Sequence, residues 1–150
     1  MRGTRRATSR HGSPFNVRHK AMTIFELEAS IDCGFHDALL HAYSVDLVAR
    51  MARFRLEICV GNPAASDYAS REARRFGTLI LSGLEYLAFD LPDFNYDGRT
   101  PYLIDLCGPS IASGSASKDG LFSGRFFVSS TNSFVHFSAM AAEFVYETNA

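Results

Sequence analysis

The residues of this sequence that could most readily take part in catalysis are a histidine followed directly by a carboxylate, His36-Asp37. A carboxylate that orients an imidazole is the usual beginning of a general-base arrangement. Successive side chains of a strand point to opposite faces, so these two residues could not pair with each other in an extended segment. His41 lies too far along the chain for the three- or four-residue spacing of a helical metal site. The favoured interpretation is that these side chains hydrogen-bond to the backbone where a strand begins.

His136 and Asn132 are further candidates, because they lie at or just after a turn near the end of the sequence. One functional hypothesis is a small hydrolase or metal-dependent enzyme in which the fold brings His36, Asp37 and His136 together. A weaker hypothesis treats His36, Asp37 and Asn132 as a binding site. The simpler interpretation is turn geometry for Asn132 and a hydrogen-bonded core histidine for His136.

The stretch DFNYDG at residues 93–98 matches the beginning of a calcium-binding loop. Asp93, Asn95 and Asp97 would supply the first oxygen ligands. The twelfth position is Ile104, where that loop needs a bidentate glutamate. Aspartate, asparagine and glycine also form turns without a metal. The sequence therefore predicts no metal site, and calcium remains only an alternative.

The three cysteines, Cys33, Cys59 and Cys107, do not have the spacing of a metal site. We expect them to be reduced thiols of a cytoplasmic protein. The sequence has no nucleotide-binding loop, no nucleophilic serine motif and no zinc-protease motif. No apolar run approaches the roughly 20 residues of a membrane-spanning helix. These patterns favour a soluble, non-enzymatic protein that needs no cofactor and does not enter a membrane.

The elements that would position these side chains are predicted to be mainly strands. Between residues 53 and 60, apolar and mostly charged residues alternate, which is typical of a strand with one buried face. Just before this strand, Val45, Leu47 and Ala49 occupy every second position. We therefore predict a hairpin over residues 44–60, with a turn at Arg50-Met51 and an apolar face in the core. That apolar face comprises Phe54, Leu56, Ile58 and Val60 together with Val45, Leu47 and Ala49.

Further segments complete the predicted architecture. Asn62-Pro63 has the chemistry of a helix start, so a short helix or an irregular excursion is expected near residues 63–75. Ser82-Gly83 predicts a bulge inside a long strand. The other predicted strands cover residues 24–27, 78–91 and 102–106 and a closing hairpin, residues 124–130 and 134–147. A phenylalanine cluster is expected to fill the core: Phe122, Phe126, Phe127, Phe134 and Phe137.

The fold class predicted from these patterns is mainly β, α+β at most, in one domain over residues 22–150. Hydrophobic residues make up 47% of the chain, with 13 phenylalanines and no tryptophan, a composition that favours sheet. Because several predicted strands are apolar on both faces, the single antiparallel sheet, of about six to eight strands, should curl into a sandwich or partial barrel.

Residues 1–21 differ sharply from the rest of the sequence. They contain six basic residues and no acid, whereas residues 22–150 contain nine basic and sixteen acidic residues, a net charge of −7. The leader lacks a periodic apolar pattern and is expected to be a disordered basic extension. A nucleic-acid or membrane arm, a targeting peptide and a non-native extension are the alternatives, and the last is favoured. Nucleic acid is an unlikely partner for the acidic domain itself.

Three short stretches carry a family resemblance: Phe35-His36-Asp37-Ala38, Ser82-Gly83 and Asn132-Ser133-Phe134. With them, residues 23–147 resemble small bacterial proteins of unknown function, some of them grouped with immunity proteins of polymorphic toxin systems. The resemblance implies a mostly β domain without catalytic activity that binds a toxin. A net charge of −7 is compatible with a basic toxin as the partner. The function expected from the sequence is thus a non-enzymatic protein-interaction domain.

Overall fold

The computed structural model describes residues 21–91, 102–107 and 120–148. These residues form eight strands, two α-helices and one short 3-10 helix. In chain order the elements are α1 (Ile24–Ser30), β1 (Ala38–Asp46), β2 (Met51–Cys59), α2 (Tyr68–Arg71), β3 (Arg74–Ser82), β4 (Tyr86–Phe89), β5 (Tyr102–Cys107), β6 (Phe122–Val128), the 3-10 helix (Ser129–Thr131), β7 (Ser133–Ala139) and β8 (Ala141–Tyr146).

The eight strands form one antiparallel sheet in the order β4-β7-β6-β5-β1-β2-β3-β8. This confirms the mainly β fold class with a single curled antiparallel sheet. The sheet is not closed into a barrel. The predicted leader and the candidate calcium ligands Asp93, Asn95 and Asp97 lie outside the described residues.

A sharp bend separates β3 from β4, where the sequence predicted a bulge inside one strand. Gly83 adopts a φ of +61°, which takes the chain out of the ladder. The chain also bends between the partner strands β7 and β8, beside Gly83. There the Met140 N–H donates to the Ser82 carbonyl at 3.0 Å, and the Glu85 N–H donates to the Ser138 carbonyl at 2.8 Å. Before the bend β3 pairs with β8, and after it β4 pairs with β7, so the sheet curls.

The core lies on the concave face of this sheet. Phe54, Leu56 and Ile58 of β2 are buried there, as their alternation predicted. Phe126 is at the centre, and its ring lies 5.8 Å from the ring of Phe54 and 5.1 Å from that of Phe137. Each such pair adds about 0.5–1.5 kcal/mol beyond the burial of its apolar area. The largest buried side chains are Phe35, Phe54, Phe126, Phe137, Ile24, Leu56, Ile58, Leu79, Leu81 and Ile104.

The predicted phenylalanine cluster divides between the two faces of the sheet. Phe122, Phe126 and Phe137 are buried in the core. Phe127 and Phe134 are half-buried and pack against each other across β6 and β7, with ring centroids 5.2 Å apart. Phe127 follows the core residue Phe126 and Phe134 precedes the core residue Val135. Adjacent residues of a strand cannot share a face, so the core placement predicted for Phe127 and Phe134 was wrong.

A helix replaces the strand predicted at residues 24–27. Thr23 accepts a hydrogen bond from the Glu26 N–H, and the Glu26 carboxylate accepts one from the Thr23 N–H, which completes a capping box. The spacing of Ile24 and Leu27 places both on the buried face of this helix. The T-x-x-E pattern at residues 23–26 was therefore the sequence signal that the strand prediction overlooked.

The predicted hairpin is present as β1 and β2, but its first strand differs from the prediction. The register with β2 shifts between Leu40 and Ala42, so His41 occupies a bulge. Residues 47–50 form the turn, and 84% of the surface of Leu47 is exposed. The expectation that Val45, Leu47 and Ala49 belong to the core was wrong. Val45 lies opposite the buried Ala52, but this part of β1 has no partner strand on its other side among the described residues, and Leu47 and Ala49 lie in the turn.

The helix near residues 63–75 is shorter and begins later than its predicted N-cap. Asp67 caps α2 by accepting a hydrogen bond from the Ser70 N–H at 2.7 Å. Asn62 instead accepts a hydrogen bond from the Ala64 N–H at 3.0 Å and stabilises a turn. One short helix within an irregular excursion therefore follows β2, as the sequence predicted.

Candidate functional site

His36 lies between two carboxylates in the turn that leads into β1. Its Nδ1 atom is 2.7 Å from Oδ1 of Asp105, and its Nε2 atom is 3.3 Å from Oδ2 of Asp37. The histidine side chain is 77% exposed. The contact with Asp105 is at hydrogen-bond distance, and the contact with Asp37 is longer.

Backbone geometry holds this cluster together. Asp37 has a left-handed conformation, with a φ of +54°. Its N–H donates to Oδ1 of Asp105 at 3.2 Å, and its carbonyl accepts from Nη1 of Arg74 at 3.1 Å. The pairing of Ala38 with Ile104 aligns β1 with β5 and so brings Asp105 to this turn. No local motif around Asp105 pointed to its participation, because the contact depends on strand pairing.

The cluster could bind a metal ion or form a charged contact at the surface. His36, Asp37 and Asp105 each offer one ligand atom, and these atoms lie within 4.8 Å of one another. Imidazole and carboxylate ligands suit several divalent metals. A metal would bind an unprotonated ring nitrogen and would replace the present contacts of His36 with the two carboxylates.

The structure places His136 in a different environment from His36 and Asp37. It lies on the outer face of β7, with Nε2 3.3 Å from Oδ1 of Asp90. Strand β6 lies between β7 and the strand that carries Asp105, which corresponds to about 10 Å across the sheet. The structure therefore brings together two of the three proposed catalytic residues, His36 and Asp37, and adds Asp105.

Asn132 belongs to the turn between β6 and β7. It has a left-handed φ of +44° and ends the 3-10 helix, with its N–H directed to the Ser129 carbonyl at 3.4 Å. Asparagine is one of the few residues other than glycine that tolerate this conformation. The turn predicted at this position is present.

A second contact between a histidine and a carboxylate, which no sequence pattern indicated, lies on the outer face of the sheet. Nε2 of His41 is 3.0 Å from Oε2 of Glu57, and its ring packs edge-on against Phe76 at 5.0 Å. The bulge at His41 sets this side chain, and a bulge has no signal in a single sequence. This pair and the His36 cluster are two separate polar sites.

An apolar surface beside β1 is a further feature that no sequence pattern indicated. Among the described residues, β5 pairs with β1 only at residues 38–40, so residues 42–46 of β1 have a strand partner on one side alone. Large apolar side chains remain exposed beside this unpaired edge. We call these six residues the edge surface: Tyr43, Val45, Leu47, Val48, Tyr86 and Phe89.

Contacts between β1 and β4 hold the edge surface together. The rings of Tyr43 and Phe89 lie 4.8 Å apart, yet these residues remain 56% and 43% exposed. A cleft of about 490 Å³ opens beside them and a second of about 470 Å³ lies between Val45 and Tyr86. Arg50 fixes the hairpin turn against the bend, through its Nη2 atom at 2.6 Å from Oε1 of Glu85.

Comparison of the chain with protein-family models, with curated proteins and with solved structures finds no match. None of the helices in the described part of the chain is long and apolar enough to span a membrane.

Proposed function

We propose that this protein is a non-enzymatic protein-binding domain whose edge surface binds a segment of a basic partner. The observation that carries this proposal is the edge of β1 at residues 42–46, which has no partner strand in the described part of the chain, with large apolar side chains exposed beside it. The more specific form of the proposal is an immunity-type protein that binds a basic toxin.

The backbone of β1 supports a mode of binding by strand addition. An edge strand presents unpaired N–H and C=O groups, to which an extended segment of a partner can hydrogen-bond. Residues 42–46 offer this edge over five positions, next to the part of β1 that β5 already covers. A strand added there would lie beside β1, on the side opposite β2 and in line with β5, and would cover the adjacent cleft.

The side chains of the edge surface support the same proposal. Tyrosine and other aromatic residues are enriched among the residues that dominate the energy of protein interfaces. Tyr43, Tyr86 and Phe89 are all large and exposed, and the rings of Tyr43 and Phe89 pack against each other. A rigid aromatic side chain loses little conformational entropy on binding, so more of its burial contributes to affinity.

Charge supports a basic partner. Residues 22–150 carry a net charge of −7. Asp46, Glu85 and Asp90 line the two clefts, and Arg50, which pairs with Glu85, is the one arginine or lysine among the described lining residues. A negative field of this kind accelerates association with a positively charged protein and disfavours acidic ones.

A photo-crosslinking experiment tests the proposal. A photoreactive amino acid would replace Val48, which is 97% exposed in the hairpin turn, and the same substitution at Tyr68 in α2 would serve as the matched control. Crosslinking in the native host should capture a basic protein at position 48 and not at position 68. The captured protein, once purified, should bind the unmodified chain in isothermal titration calorimetry.

Edge variants decide whether the captured protein uses the proposed surface. Val45→Lys should weaken its affinity at least tenfold, which corresponds to about 1.4 kcal/mol, because a lysine would be buried in an apolar contact. Tyr68→Ser should leave the affinity unchanged. An acidic partner, or equal binding to the wild type and Val45→Lys, would contradict the proposal.

A hydrolase or metal-dependent enzyme is the second candidate function, and the meeting of His36 and Asp37 with Asp105 favours it. Calorimetric titration with Zn²⁺ and Mn²⁺ would test the metal-dependent form. Binding that His36→Ala removes would support it, and the same binding in that variant would refute it.

A further inference from the structure

Two cysteines that are 26 positions apart in the chain lie in direct contact. The Sγ atoms of Cys33 and Cys59 are 3.3 Å apart. Cys33 is in the turn that follows α1, and Cys59 is the last residue of β2. Both residues are partly buried, so the pair is enclosed without being sealed from small molecules.

The surroundings of the pair keep the two sulfur atoms facing each other. The Cys33 thiol also lies 3.8 Å from the carbonyl oxygen of Gly61. The hydrogen bond with Cys59 raises the pKa of the Cys33 thiol, and burial and the nearby charge of Asp32 act in the same direction. A thiol with a raised pKa remains protonated at neutral pH and reacts slowly. The pair is therefore expected to persist as a dithiol until an oxidant is present.

We propose that Cys33 and Cys59 form a redox modification site, at which a low-molecular-weight disulfide oxidises the dithiol to an intramolecular disulfide bond. In the first step, the thiolate of one cysteine attacks a sulfur of the small disulfide. A mixed disulfide forms, and one small thiol leaves. The second cysteine then loses its proton and attacks the protein sulfur of the mixed disulfide, and the second small thiol leaves. Two protein thiols are oxidised and one small disulfide is reduced to two thiols.

The local structure permits the closure of this bond. The S–S distance of a disulfide is about 2.04 Å, so the two sulfur atoms must approach by roughly 1.3 Å. Cys33 lies in a turn outside the strand ladder, so this movement breaks no pairing between strands. The site does not involve the edge surface, and the proposal does not depend on the proposed protein-binding function.

The test is oxidation of the full chain with glutathione disulfide, followed by thiol counting and peptide mapping. The reduced chain has three free cysteines. Oxidation should leave one free thiol and should join the tryptic peptide of residues 21–50 to that of residues 56–71. The oxidised protein should also unfold at a temperature about 10 °C higher, because the crosslink restricts the unfolded chain.

Single variants provide the controls. Cys107→Ser should form the same crosslink, since Cys107 lies on β5, away from the pair. Cys33→Ser and Cys59→Ser should each retain one glutathione as a mixed disulfide, because the second cysteine needed to release it is missing. The proposal is overturned if the wild type itself accumulates mixed disulfides on Cys33 or Cys59, or if the crosslink involves Cys107.

Discussion

Arg55 and Glu147 form the most complete charge pair of the described surface. The guanidinium Nε and Nη2 atoms lie 2.6 Å and 3.0 Å from the two carboxylate oxygens, a bidentate geometry that is stronger than a single contact. The guanidinium also lies 4.4 Å from the ring centre of Phe76. These residues are 92 positions apart, so the pair joins the end of the chain to the middle of β2.

The pair makes stability depend on pH in a defined direction. The hydrogen bonds from Arg55 lower the pKa of Glu147 below its ordinary value of 4.5. A carboxyl group whose pKa is lower in the folded state stabilises the fold fully above its unfolded pKa, and this stabilisation is lost as the pH falls through the folded pKa. We expect Glu147→Gln to lower the melting temperature at neutral pH and to match the wild type near pH ~2.

Differential scanning calorimetry over this pH range measures the effect. Glu143→Gln, on β8 just before Glu147, is the control for removal of an acid, and the pH dependence of its difference from the wild type should be smaller. A constant difference between Glu147→Gln and the wild type at all pH values would show that the ion pair is not its source.

At the scale of secondary-structure elements, the bend at Gly83 determines the shape of the sheet. The chain passes from β3, between β2 and β8, to β4, which pairs with β7 at the other end of the strand order. Gly83 permits this with a φ of +61°, and a Cβ atom at this position would lie 2.8 Å from Cβ of Met140. Both the backbone conformation and the close packing therefore require glycine.

Gly83→Ala should lower the free energy of unfolding by about 2–4 kcal/mol, as the sum of left-handed strain and a steric conflict. Gly120→Ala is the matched control. Gly120 also has a positive φ, +88°, but a Cβ atom there would make only an ordinary contact at 3.5 Å. It should cost about 1–2 kcal/mol, from strain alone. Urea denaturation measures both values, and equal losses would contradict a role for packing against Met140.

At the scale of the whole molecule, the curled sheet has one covered and one open end of its concave face. Helix α1 places Ile24 and Leu27 in the core, and Met22 forms a bridge with Ala142 at the edge of β8. The second half of β1 has no such cover among the described residues. Protein binding is therefore proposed for the end that the described residues leave open.

The net charge of the domain leads to a prediction for binding to the captured basic partner. The dissociation constant should rise roughly tenfold or more between about 0.05 M and about 0.5 M NaCl, because salt screens attraction between exposed charges. Calorimetric titrations at several salt concentrations measure this dependence. An affinity that is independent of salt would show that apolar contacts alone drive binding and would remove the charge argument for a basic partner.

Alternating residues were sufficient to predict the parts of the fold that depend on local pattern. The alternation from Phe54 to Ile58 predicted a half-buried strand, and the turn at residues 131–133 predicted the connection between β6 and β7. Such patterns work because side chains alternate between the two faces of a strand regardless of the rest of the chain. The capping box at Thr23 was equally local and could have been found.

The candidate sites were decided by tertiary structure. His36 was visible in the sequence, but Asp105 joins it only through the pairing of β1 with β5. The contact of Cys33 with Cys59 depends on how the turn after α1 packs against β2. The sequence determined that strands form and which face of β2 is buried. Strand order, the bulge and the open edge arise from contacts between distant segments, which a periodic pattern does not encode.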